Sequence, residues 1–188
     1  MQQRLLELVQ NLEATRAALL AAVEEVPDDR RDVAPRADAW SAGEILDHLS
    51  LIESGVARLV ATRVARAREE DVGPERDTSP GPRDLEGGGV TTRDPPLRAA
   101  GPIWPRPGTT TDVALGELTQ SRAALLAAIA DAGDLDLSRI RARHVILGEL
   151  DLYQWLLFVA QHEARHTEQL RELAGAPASG GGAPPSTG

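Results

Sequence analysis

The stretch from residue 151 to residue 173 reads DLYQWLLFVAQHEARHTEQLREL and decides the fold. Its apolar residues recur with the period of an amphipathic α-helix. His162 and His166 lie four positions apart on the apolar stripe, so both imidazoles face the core side of this helix. Such side chains stand about 5 to 6 Å apart at Cβ, and their Nε2 atoms can converge on one metal ion at roughly 2.0 to 2.1 Å each. The pair therefore predicts two ligands of a metal site.

Three other stretches of the chain show the same helical period. With the stretch above, they predict four long helices over about residues 2–26, 42–70, 112–132 and 152–173. Trp40 and Ile45 are placed to form a hydrophobic staple at the start of the second helix. Four amphipathic helices with little else predict an all-α protein, a four-helix bundle.

Capping signals stand at the start of three of these helices. Ser41 and Glu44 form a capping box before the second helix, and Asp151 and Gln154 form a variant box before the fourth. Residues 110–112, Thr-Thr-Asp, are expected to cap the third helix.

The composition favours helix and excludes several functions. Aromatic residues are 3% of the chain, and its 41% hydrophobic content is mostly Leu, Ala and Val. A net charge of −9 argues against nucleic acid and anionic membranes as partners, since both require clustered basic residues. The absence of cysteine excludes disulfides, thiolate ligands and a protein-borne thiol nucleophile. Any thiol must come from outside.

The chain reads as one domain, the bundle of residues 1–175, followed by a disordered tail over 176–188. Residues 71–108 form a long Pro/Gly-rich crossover loop between helices two and three. We expect it to be partly disordered around Gly87–Gly89 and held to the bundle by 95–97 and 103–104. No secretion signal or membrane span is visible, so a cytoplasmic location is expected.

The remaining histidines are His48 and His144. His48 lies within the first two turns of the second helix, where a neighbouring helix could aim it at the pair, and it is the predicted third ligand. His144 lies between helical patterns, its chemistry is less determined, and it stays outside the predicted site.

The string from His162 to His166 also fits the H-E-x-x-H pattern, in which the glutamate is a general base. A protease is disfavoured, because the positions of the extended motif hold Gln169 and Glu172 and no substrate-binding strand is visible. The strings RAALLAA at Arg16 and Arg122 are alike, but helical composition alone can produce them, so no internal repeat is inferred.

The two histidine-bearing segments resemble the DinB superfamily of small metalloproteins. The matching residues are Trp40-Ser41-x-x-Glu44-Ile45-Leu46-x-His48-Leu49 and Gly148-x-Leu-x-Leu-Tyr-Gln-Trp-Leu-Leu-Phe-x-x-x-His162-x-x-Arg165-His166-x-x-Gln169. Glu163 is not part of the usual motif, and Val145 stands where a proline commonly follows the histidine at 144.

The resemblance implies an up-down-down-up bundle, often dimeric, with a divalent ion held by His48, His162 and His166. Zinc is favoured, and nickel, manganese, iron or cobalt also suit the site. Members include bacillithiol and mycothiol S-transferases, a mycothiol-dependent isomerase and metal-dependent hydrolases.

The expected function is metal-dependent transfer of an external low-molecular-weight thiol to an electrophilic small molecule. The alternatives are metal-dependent hydrolysis of a small ester or amide, and a non-catalytic metal-binding or ligand-binding stress protein. No catalytic residue beyond the metal ligands is assigned.

Overall fold

A computed structural model describes residues 2–77, 79–82, 85 and 103–175 of the chain. The described elements are, in chain order, α1 (Gln3–Glu25), α2 (Asp28–Arg31), α3 (Ala42–Glu69), α4 (Thr111–Ala132), a 3-10 turn (Leu137–Arg139), β1 (Arg141–His144), β2 (Gly148–Asp151) and α5 (Leu152–Gly175). The four long helices confirm the predicted bundle, and their ends agree with the predicted ends to within about two residues.

Contacts between helix ends establish the direction of each helix. Beside the start of α1, the Gln2 side chain accepts a hydrogen bond from the Tyr153 hydroxyl at the start of α5, so these helices run the same way. Gln2 also donates to the Asp134 carbonyl just after α4, so α4 runs the opposite way to α1. Arg68 near the end of α3 pairs with Asp131 near the end of α4, so α3 is parallel to α4. The predicted up-down-down-up order is confirmed.

The first residues of α3 and α4 come into close contact at Gly43. A Cβ atom added to Gly43 would stand 2.2 Å from the carbonyl oxygen of Thr109 and 2.8 Å from the carbonyl carbon of Thr110. Real Cβ atoms do not approach other atoms so closely, and only glycine fits here. The beginning of α3, which carries His48, is thereby held against the beginning of α4.

Four buried charged residues, one from each long helix, form what we call the charged centre. Its members are Arg16 of α1, Glu53 of α3, Arg122 of α4 and Glu163 of α5. Each arginine contacts both glutamates, with nitrogen–oxygen distances of 2.6 to 3.1 Å. Two positive and two negative charges neutralise one another, which is the condition under which such groups can be buried.

The charged centre repeats one hydrogen-bond pattern in the two halves of the chain. Arg16 donates to the Leu118 carbonyl of α4, and Arg122 donates to the Leu12 carbonyl of α1, each one turn before the other arginine. The hydroxyl preceding each arginine also matches, because Thr15 binds Glu163 and Ser121 binds Glu53. The similarity of the RAALLAA strings is therefore an internal repeat, contrary to our reading of the sequence.

Two of the three predicted caps are confirmed. Ser41 with Glu44 and Asp151 with Gln154 each make both hydrogen bonds of a capping box, at 2.9 to 3.2 Å. The cap predicted from Thr110 is wrong, since its side chain makes no capping hydrogen bond. Asp32 accepts from the Thr111 backbone N–H and hydroxyl instead, both at 2.7 Å. A residue this distant in sequence is brought to α4 only by folding.

A short antiparallel hairpin precedes α5, where the sequence predicted only a connection. Strands β1 and β2 are four residues each, too short to show a clear alternating pattern. Trp155 on α5 donates to the Ala142 carbonyl at 3.2 Å and holds the hairpin to the bundle. Gly148, which begins β2, has φ 79, a conformation that favours glycine.

Several sequence predictions lie outside the described residues: the Gly87–Gly89 triplet, the segment 95–97 and the tail over 176–188. Within the described ranges, no helix combines the length and apolar character needed to cross a membrane.

Candidate metal centre

The bundle brings His48, His162 and His166 together. His48 lies in the second turn of α3, just after the capping box, and the other two lie on successive turns of α5. The ring centroid of His48 is 5.1 Å from that of each α5 histidine, and those two centroids are 4.7 Å apart. One ring nitrogen from each histidine lies within 4.8 Å of the others, so the three could hold one metal ion.

Hydrogen bonds at Nδ1 set the tautomers of two of these histidines. Nδ1 of His48 is 2.6 Å from the carbonyl oxygen of Ile103, and Nδ1 of His166 is 2.9 Å from Oε1 of Gln169. Because both oxygens only accept, each Nδ1 carries the proton and donates it. The lone pair of each ring is then on Nε2, the atom needed for a metal ligand.

Burial keeps two of the imidazoles neutral. It lowers the pKa of His48, although the Ile103 carbonyl and Asp47 act in the opposite direction. Burial also lowers the pKa of His162 well below its ordinary value, and His166 and His48 lower it further. Neutral imidazole is the form that binds metal, so the protonation states suit coordination.

The distance between the Nε2 atoms of His48 and His162 fits a tetrahedral ion. Two nitrogens bound at about 2.1 Å with a tetrahedral angle between them lie about 3.4 Å apart. Nε2 of His48 lies 3.4 Å from Nε2 of His162, a distance that is long for a hydrogen bond. Three protein ligands leave a further coordination position open to a small molecule.

Aromatic rings flank the three imidazoles. Phe158 is stacked on His162, with ring centroids 5.4 Å apart, and Trp40 is stacked on His166 at 6.3 Å. Trp40 also contacts His48, and Trp104 packs edge-on against Trp40. Trp40 packs against the core cluster containing Ile45 as well, so the residue predicted as a staple also forms a wall of the site. These rings limit the rotation of the histidines.

Glu163 does not act on the site as the H-E-x-x-H pattern would require. The residue is 2% exposed, and its carboxylate accepts from Arg16, Arg122 and Thr15 in the charged centre. One position along a helix turns a side chain by about 100°, so Glu163 points away from the face that carries His162. Its carboxylate neutralises arginines and is not placed as a general base.

His144 lies outside the three-histidine cluster, beside its aromatic wall. Its Nδ1 accepts from the backbone N–H groups of Ile146 and Leu147 at 3.2 and 3.1 Å. Its ring packs against Trp155 and Phe158, and burial lowers its pKa. The hairpin turn therefore uses the ring nitrogen that could otherwise bind metal.

Asp47 and Arg106 form a contact that the sequence did not reveal. Asp47 is fully buried and bound to Arg106, whose backbone N–H donates to Oδ2 at 2.6 Å. Burial alone would raise the pKa of Asp47, and the hydrogen bonds and charge of Arg106 hold it below its ordinary value. Arg106 lies in a Pro/Gly-rich loop, which carries no sequence signal for such a pairing.

Comparison with known proteins agrees with this architecture. A curated relative, the uncharacterized protein YuaE of Bacillus subtilis (strain 168), is 28% identical over 147 residues, which are 78% of this chain and 84% of that protein. The crystal structure of TT2238, a four-helix bundle protein, covers 89% of this chain and 98% of its own with a TM-score of 0.58 and 24% identity. The family model of the DinB superfamily matches residues 11–170. The resemblance read from the sequence is confirmed, and the chain belongs to the DinB superfamily.

Proposed function

We propose that His48, His162 and His166 hold a divalent ion, zinc being the first choice, and that the protein is a metal-dependent thiol S-transferase. The observation that carries the proposal is the convergence of one nitrogen from each histidine within 4.8 Å. When bound, the ion would lower the pKa of a thiol in its open coordination position, so that the thiolate is present at neutral pH.

The residues around the site favour an anionic ligand. The three imidazoles are neutral donors, and the two nearest carboxylates on their helices, Asp47 and Glu163, are already paired with arginines. No protein carboxylate in the described cluster therefore offsets the charge of a divalent ion. A thiolate would do so. Because the chain has no cysteine, that thiol comes from a second small molecule.

The proposed reaction is a substitution or an addition at carbon. The thiol loses its proton to solvent, its sulfur forms a bond to the electrophilic carbon, and a halide leaves with the bonding electron pair. With an epoxide, the C–O bond breaks and the oxygen takes up a proton. The aromatic walls from Trp40 and Phe158 would exclude water from the reacting sulfur.

The test uses the full chain freed of metal and reloaded with zinc, nickel or manganese. Each form is incubated with bacillithiol or mycothiol and a haloaromatic compound or an epoxide, and the conjugate is measured. We expect conjugation that depends on metal and is lost in His162→Ala, with Leu20→Ala, an exposed residue of α1, as a matched control. Absence of metal-dependent conjugation with every combination would contradict the proposal.

Hydrolysis of a small ester or amide is the second candidate for the same site. It is weakened by the burial of Glu163, which removes the obvious base, and it would be preferred if turnover continued without thiol and followed a pKa near roughly 7. A metal-binding protein without catalysis would instead show stabilisation by metal and no turnover in either assay.

We also propose a homodimer, which sedimentation of the full chain would test.

A further inference from the structure

The last residues of the crossover loop, 103–108, lie against the start of α3 beside the histidines, and we call them the return segment. The carbonyl oxygen of Ile103 accepts the hydrogen bond from Nδ1 of His48 at 2.6 Å. Trp104 packs its ring edge against Trp40, with centroids 5.5 Å apart. The return segment therefore supplies the group that fixes the proton of His48.

The same segment is anchored by Asp47, the residue before His48. The backbone N–H of Arg106 donates to Oδ2 of Asp47 at 2.6 Å, and Nε of Arg106 donates to Oδ1 at 3.1 Å. Asp47 is fully buried, whereas the Arg106 side chain is 53% exposed, so only the carboxylate side of the pairing is shielded from water. The Arg106 guanidinium also contacts Glu117 of α4, whose side chain is about one third exposed.

Asp47 cannot orient the His48 ring by direct contact, because neighbouring residues of a helix point about 100° apart. Ile103 can do so only while its carbonyl stays within hydrogen-bonding distance of Nδ1. The packing of Trp104 on Trp40 is one contact that holds the Ile103 carbonyl in place. The hydrogen-bonded contact is that of Arg106 with Asp47, three residues further along the same segment. The order of dependence therefore runs from Asp47 through Arg106 and Ile103 to His48.

We propose that Asp47 is a positioning residue of the metal centre, which holds the return segment through Arg106 so that the Ile103 carbonyl keeps the proton of His48 on Nδ1. Its effect on metal affinity rests on the proposed metal site. Its effect on the His48 tautomer does not, because that tautomer can be measured in the metal-free protein.

The experiment compares Asp47→Asn and Arg106→Ala with Glu117→Gln as the matched control, which removes the charge of the other partner of Arg106 and leaves the anchor on Asp47. The His48 tautomer is read from long-range nitrogen–proton NMR spectra without metal, and zinc affinity is read by competition with a chelating dye. We expect a single Nδ1–H tautomer in the wild type and in Glu117→Gln. In the other two variants we expect a mixture of tautomers and an affinity loss of about 10-fold to 100-fold, the range usual for groups that orient metal ligands.

The outcomes separate the positioning role from the metal site itself. An unchanged tautomer in Arg106→Ala and Asp47→Asn, with only a lower melting temperature, would overturn the proposal by making Asp47 purely structural. If the two variants show a mixture of tautomers but even the wild type binds no zinc, the result would support the positioning of His48 and refute the metal centre. If Asp47→Asn does not fold, Arg106→Ala decides, since it removes the guanidinium that binds Asp47 and leaves only the backbone N–H of residue 106 on the carboxylate.

Discussion

The two halves of the chain, α1 with α3 and α4 with α5, are alike in their centre and unlike at one end. Each half supplies one arginine and one glutamate to the charged centre, preceded by Thr15 in one half and Ser121 in the other. Each also begins its second helix with a capping box. The features that the halves share are those that hold four helices in register.

The difference between the halves lies at the histidines. Aligning the two capping boxes places Phe158 of α5 opposite His48 of α3. The same alignment places Ile52 of α3 opposite His162, and Val56 opposite His166. One end of the bundle thus carries three imidazoles where the equivalent positions carry apolar side chains. The repeated residues are common to both halves and join the four helices, whereas the histidines lie at one end only, as the proposed metal site requires.

Breaking the charged centre from either half is expected to have the largest effect. Arg16→Leu and Arg122→Leu each leave two buried glutamates with one arginine, and each should lower the free energy of unfolding by about 3 to 5 kcal/mol. Urea denaturation measures this, with Arg66→Leu as a control because its pair with Glu70 is exposed. If one of the two variants unfolds at the same urea concentration as the wild type, the two arginines do not have equivalent roles.

Stabilisation of the protein by zinc should depend on the histidine positions of α5 and not on the equivalent apolar positions of α3. At a free zinc concentration of about 100 times the dissociation constant, the free energy of unfolding should rise by about 2.7 kcal/mol. His166→Ala should abolish this gain, whereas Val56→Ala, at the equivalent position of α3, should be less stable overall and keep it. Thermal unfolding with and without zinc or a chelator measures both. An equal zinc response in the two variants would contradict the assignment of the histidines.

Replacing a glycine by alanine should have opposite effects on stability in α3 and in α4. Gly43→Ala drives a methyl group into the backbone before α4 and should cost about 1 to 3 kcal/mol, as overpacking does. Gly116→Ala within α4 meets no atom within 4 Å and should stabilise by roughly 0.5 to 1 kcal/mol. Denaturant midpoints of the two variants should therefore shift in opposite directions, and a common shift would show that the contact of α3 with Thr109 is not rigid.

Loss of either capping box should give a small change in the free energy of unfolding, similar in the two halves. Ser41→Ala and Asp151→Ala each remove one cap and should cost about 1 kcal/mol, and Asp151→Asn should cost less because asparagine also caps well. Thr110→Ala should change the free energy of unfolding little, because Asp32 caps α4. Asp32→Ala should instead cost about 1 kcal/mol, the usual loss for removal of a cap. Equal losses in Thr110→Ala and Asp32→Ala would contradict this reading.

Much of the fold and the histidine cluster could be predicted from the sequence because the signals are local. The helical period, Ser41 with Glu44, and His162 four residues before His166 depend only on residues within a few turns. His48 was reached through its place on a helix together with the family resemblance. The hairpin was missed because strands of four residues carry too little pattern, and the repeat was missed because alanine-rich and leucine-rich helices look alike.

By itself, the sequence determined four amphipathic helices, their approximate ends, and an imidazole pair on the inner face of the last one, since backbone periodicity places side chains without reference to the rest of the chain. Only the tertiary structure decided that Glu163 neutralises Arg16 and Arg122, that Asp32 caps α4, and that Ile103 orients His48. These contacts join residues far apart in the chain, and their partners are selected by packing and by the cost of burying a charge or a polar group without one.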